Sequence, residues 1–88
     1  MNQPSAPVID FSTFVLSLST SALMHLGAMP APEGVTQEVS LALAKQTIDI
    51  LAMLEQKTRG NLTGEEERLL HEVLVDLRLR YVHAEKTR

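Results

Sequence analysis

The segment 57–66 joins two amphipathic patterns, and it limits how the chain can fold. A helical pattern ends in basic residues just before Gly60, where glycine can adopt the left-handed conformation that follows many helices. Thr63 and Glu66 then have the spacing of a capping box, in which each side chain bonds the backbone of the other as a new helix begins. Because so short a connection favours antiparallel neighbours, the sequence predicts an antiparallel helical hairpin over 41–83.

Hydrophobic spacing predicts an all-α fold with three helices, at about 11–26, 41–58 and 64–83. Asp10 and Ser40 precede the first two helices and are suited to cap them, because their side-chain oxygens can accept hydrogen bonds from free backbone N–H groups. The length of 88 residues allows one domain.

The predicted organisation is a single helical domain at 10–83 between two flexible tails. The N-terminal tail, 1–9, has two prolines among small residues, and the C-terminal tail, 84–88, is polar. The connection 27–39 is long for a helical bundle and contains proline and glycine. Nothing in its sequence indicates a ligand.

Apolar surface exceeds what one copy of a three-helix core can bury. In the second helix the apolar residues cover an arc of about 200°, roughly twice an ordinary surface stripe. The third helix carries a second apolar ridge on a face different from its main stripe. The face of the first helix opposite its apolar stripe consists of serine and threonine and carries no charge, which would let another helix approach closely.

We therefore expect the domain to assemble into a homo-oligomeric bundle, with a dimer favoured, in which the surplus apolar faces are buried together. An unidentified protein partner is the alternative occupant of these faces. The candidate interface residues are Leu16, Ser17, Ser21, Leu23, Leu43, Ile50, Leu54, Val75, Leu79 and Val82.

The sequence shows no motif for catalysis or for binding a metal or cofactor. The absence of cysteine excludes thiol catalysis and thiolate metal ligands. The histidines, His25, His71 and His83, do not have the spacing of a metal site. Asp49 is expected to be solvated beside Lys45, one helical turn away. We therefore predict no catalytic, cofactor-binding or metal residues.

The charge pattern argues against nucleic acid and membrane as partners. The net charge is −3, whereas phosphate contacts need clustered lysine and arginine. The apolar segment 11–29 contains six serine and threonine residues and lacks flanking basic residues, so it is a poor membrane span. No basic side chain precedes Asp10, so no secretory signal is predicted, and the cytoplasm is the expected location.

Four segments together resemble a bacterial family, domain-of-unknown-function family 1844. They are FSTFVLSL at 11–18, AKQTIDIL at 44–51, KTRGNLT at 57–63 and DLRLRY at 76–81. The resemblance implies a small helical protein with no assigned activity. Gly64 departs from the proline or stronger helix former expected at the first helical position.

The leading functional hypothesis is a non-catalytic protein-interaction or structural module that acts as an oligomer. One alternative is a nucleic-acid or ribosome-associated factor that uses a basic C-terminal cluster. The members of that cluster are Arg78, Arg80, His83, Lys86 and Arg88. A second alternative is an enzyme with a site formed between subunits, using Asp49 or His71.

Overall fold

The computed structural model describes residues 9–30, 33–34 and 39–87. Three helices lie within these ranges: α1 (Phe11–Leu26), α2 (Leu41–Lys57) and α3 (Gly64–Lys86). Each helix packs against the other two, and no strand occurs in the described ranges. The predicted all-α fold with three packed helices is therefore confirmed.

The C-terminal end of α3 differs from the predicted bounds, because the helix continues to Lys86 instead of ending near 83. Residues 84–86 of the predicted flexible tail are helical, since alanine, glutamate and lysine are all good helix formers. The backbone N–H of Thr87 donates to the carbonyl of His83 at 3.2 Å and closes the last turn. Residues 1–8 and 88 of the two predicted tails lie outside the described residues.

The end of α2 also differs in detail. Its C-cap is Thr58, whose backbone N–H donates to the carbonyl of Leu54 at 2.9 Å. The Thr58 hydroxyl donates to the same carbonyl at 2.6 Å, and α2 ends at Lys57, one residue before the predicted position. Gly60 has the expected left-handed φ of 85°, but it lies in the turn beyond the cap.

Side-chain caps begin all three helices. At α3, the Thr63 hydroxyl oxygen accepts from the backbone N–H of Glu66 at 3.1 Å, and the Glu66 carboxylate accepts from the N–H of Thr63 at 2.9 Å. This is the predicted capping box. Asp10 and Ser40 cap α1 and α2, each accepting from the backbone N–H three residues on. These bonds fix where each helix begins, whereas the spacing of the apolar residues determines which side chains face inward.

The core is aliphatic and small. Leucine supplies most of its volume, and the described aromatic residues lie at its edge or on the surface. Burying one such side chain contributes about 1.5–3 kcal/mol to folding. The fully or nearly fully buried hydrophobic residues are Val15, Ala22, Ala44, Ile48, Leu51, Leu70, Leu74 and Leu77.

Truncation of a core leucine should cost far more than truncation of an exposed methionine. We expect Leu74→Ala to lower the free energy of unfolding by about 2–5 kcal/mol, because it removes buried methyl groups and leaves a cavity. Met53→Ala, on the exposed surface of α2, should change it by roughly 0.5 kcal/mol or less. Urea unfolding measures both, and equal losses would contradict this placement of the core.

The stabilisation that the Asp10 cap gives to α1 should decrease in acid. The hydrogen bond from the backbone N–H of Thr13 lowers the pKa of Asp10 below its usual 3.8. A carboxyl group whose pKa is lower in the folded state stabilises the fold above its unfolded pKa, and this stabilisation is lost as pH falls through the folded pKa.

Asp10→Asn keeps a good capping residue but has no charge to titrate. Unfolding midpoints between pH 6 and pH 2 should therefore fall more steeply in the wild type than in Asp10→Asn. Parallel curves for the two proteins would show that the cap does not depend on the charged form of Asp10.

Candidate interaction surface

An apolar ridge runs along α3 on the side away from the core. It consists of Val75, Leu79 and Val82, whose exposed fractions are 42%, 67% and 45%. Steps of four and three residues keep the three side chains on one face of the helix. The buried Leu74 and Leu77 lie about 140° and 160° around the helix from Leu79, and the ridge is not part of the domain's own core.

Charged residues continue the same strip at both ends. Glu72 lies seven residues before Leu79, and Lys86 lies seven residues after it, which is nearly two full helical turns in each direction. Arg68 extends the strip one further turn towards the start of α3. All three charged side chains are exposed, so the strip has an apolar centre and charged ends.

A second set of exposed apolar residues lies on α2. Leu43 and Ile50 are seven residues apart, and Met53 follows within one turn of Ile50. Met53 is exposed on the same side of α2, although it is not among the predicted interface residues. Leu54, which was predicted there, is instead partly buried and packs against the core.

The predicted residues of α1 do not lie on one face. Leu16 is exposed, while Leu23 is partly buried against the core. Ser17 is exposed, and its hydroxyl donates to the carbonyl of Phe14 at 2.8 Å. Ser21 is half-buried and lies five residues from Leu16, about 140° away around the helix. The structure thus brings together the α3 residues of the prediction and separates those of α1.

Asp49 and His71, the polar residues singled out in the sequence, each contact another side chain at the surface. The ammonium group of Lys45 lies 2.9 Å from the carboxylate of Asp49. This hydrogen bond, and then the attraction between the two charges, raise the pKa of Lys45. His71 Nδ1 lies 3.7 Å from the carboxylate of Glu55, a contact between α3 and α2. Pairs of this kind on an exposed surface contribute little to stability.

The basic C-terminal residues are spread around α3. Arg80 donates to the carboxylate of Asp76 at 2.8 Å, so its charge is partly compensated. Arg78 is two residues away and points to the other side of the helix, about 200° around the axis. His83 and Lys86 are exposed, and residue 88 lies outside the described residues.

A shallow depression lies where α2 meets α3. Its lining includes two acidic residues, Glu55 and Glu67, and three groups that are basic or can become so, Arg59, Arg68 and His71. Mixed charge of this kind does not select a ligand of either sign. The described part of the chain contains no cluster of histidine and acidic residues that could hold a metal ion.

No helix in the described ranges is both long enough and apolar enough to cross a bilayer.

These features define a small all-α domain of three packed helices with an apolar ridge on its outer surface. The family model described as "Domain of unknown function (DUF1844)" matches residues 8–83, and the chain belongs to this family. The resemblance of the four sequence segments is therefore confirmed. Comparisons with curated proteins and with solved structures gave no match.

Proposed function

We propose that the chain is a non-catalytic protein-interaction or structural module that acts as a homo-oligomer, with the dimer as its basic form. The observation that carries this proposal is the ridge of Val75, Leu79 and Val82, which faces away from the domain's own core. Continuous apolar surface on a small domain favours burial against a protein. The same proposal assigns the protein to the bacterial cytoplasm, as expected from its sequence.

Part of the proposal is that α2 and α3 form an antiparallel hairpin, which would hold the ridge on a rigid support. Glu55 near the end of α2 contacts His71 in the first half of α3. Lys45 near the start of α2 lies close enough to Tyr81 and Glu85, near the end of α3, for their charges to act on its pKa. Contacts at both ends of the pair support opposite directions for the two helices.

The polar residues support a role without catalysis. Catalytic groups are usually found in clefts where burial and neighbouring charges shift their pKa values. Among the described residues, Asp10 and Lys45 have pKa shifts with a clear cause, and both side chains are exposed. Asp10 is shifted by its role as a helix cap, and Lys45 by the surface pair with Asp49. Both shifts are explained without a substrate.

Absolute mass in solution tests the proposal. We expect light scattering behind a sizing column to give twice the chain mass of 9.7 kDa at high concentration. On dilution, the mass should fall towards one chain, because the ridge is a small surface. A mass of one chain at every concentration, with cooperative unfolding in the same buffer, would overturn the proposal.

A further inference from the structure

We propose that the outer strip of α3 is the surface on which two copies of this chain pair, with their α3 helices antiparallel about a two-fold axis beside Leu79. This inference rests on the proposed function, because it requires self-association. It goes further in naming the face, the orientation and the residues that set the orientation.

The centre of the strip suits an interface between copies. Leu79 is the most exposed of the three ridge residues, at 67%, and Val75 and Val82 flank it. A two-fold axis beside Leu79 brings this side chain against its own copy and places the valines around it. Binding energy concentrates in such central apolar contacts, where surrounding residues exclude water. A two-fold dimer uses the same patch on both copies, as one continuous ridge allows.

The charged ends of the strip select the antiparallel orientation. Glu72 and Lys86 lie seven residues on either side of Leu79, so each is about 10.5 Å from it along the helix. In the antiparallel arrangement, Glu72 of each copy lies opposite Lys86 of the other, which gives two attractive pairs. In a parallel arrangement, each charge would lie opposite its own copy, which costs energy.

The charge of the whole helix has the same polarity. The first part of α3 contains four glutamates and Arg68, whereas the last part contains Arg78, Arg80 and Lys86 among fewer acidic residues. Antiparallel pairing sets the acidic part of one helix against the basic part of the other and also opposes the helix dipoles. Arg78 would lie near its own copy at the rim, where solvent screens the repulsion.

The exposed stripe on α2 fits a second copy less well. It contains Leu43, Ile50 and Met53, but Gln46 lies between the first two, and Lys57 lies at the end. Lys57 lies seven residues after Ile50, and the residue seven positions before Ile50 is Leu43, which is not acidic. A second copy would therefore place no carboxylate opposite Lys57. The strip on α3 therefore has both the continuous apolar centre and the matched charges.

Disulfide trapping tests the face and the orientation together. The chain has no cysteine, so single substitutions give unambiguous products. Glu72→Cys and Lys86→Cys chains, one of them carrying a tag that changes its mass, would be mixed and oxidised gently. Antiparallel pairing places the two introduced thiols opposite each other and leaves the second Glu72–Lys86 pair of the mixed dimer intact. We expect the mixed disulfide to exceed half of all crosslinked dimers, the share that random pairing gives.

Three other outcomes would overturn the inference. Disulfides only between identical chains would show parallel pairing. In the second outcome, the mixed disulfide makes up half of the crosslinked dimers or less while the wild-type protein is a dimer by mass. That result would show that copies pair through another face, and the proposed function would stand. A wild-type protein that is a monomer at every concentration would overturn the inference and the proposed function together.

Charge reversal gives an independent measure of orientation. Glu72→Lys or Lys86→Glu alone should raise the dimer dissociation constant roughly tenfold, since each turns two attractions into two repulsions. The double reversal should restore the constant to within about threefold of the wild type. Gln56→Lys on the exposed side of α2 is the matched control and should leave dimerisation unchanged. Failure of the double reversal to restore pairing, with helicity intact by circular dichroism, would overturn the antiparallel arrangement.

Discussion

The fold depends on contacts among buried aliphatic side chains from all three helices. Val15 of α1 and Leu51 of α2 belong to the same cluster as Leu74 and Leu77 of α3. None of these side chains carries a polar atom, so the cluster specifies packing by shape and spacing alone. The helix caps fix the first residue of each helix, and the spacing of the leucines along the helices places them in one cluster. Short-range hydrogen bonds therefore set the ends of the helices, and long-range packing holds the helices together.

Much of this arrangement follows from the sequence, because its determinants are local. The capping box at Thr63 and Glu66 and the cap at Asp10 each need only residues within one helical turn, and both are present as expected. The end of α3 was harder to predict, because Ala84 and its neighbours are polar or small and carry no stop signal. Polarity there reflects an exposed helix end, which composition alone does not distinguish from a loop.

The surface was predicted less well, because exposure depends on where neighbouring helices lie. Leu54 is close to Ile50 on the helix, yet Leu54 packs against the core while Ile50 is exposed. Phe14 lies within one turn of Phe11 and Leu18, which pack against the core, yet more than a third of its own surface is exposed. The ridge at Leu79 was predictable because it lies opposite the buried leucines of its own helix. In a three-helix domain, the face of a helix opposite its buried stripe is expected to remain exposed.

The contrast between the core and the ridge bears on how such a protein would work. The core unites three helices of one chain, and its leucines are ordered as part of folding. The ridge has only three apolar side chains, and any partner must also lose its freedom of movement on binding. Self-association through a surface of this size is expected to be reversible and to depend on protein concentration. Charges at its two ends would then influence the orientation of pairing more than its strength, because exposed ion pairs contribute little energy but discriminate against like charges.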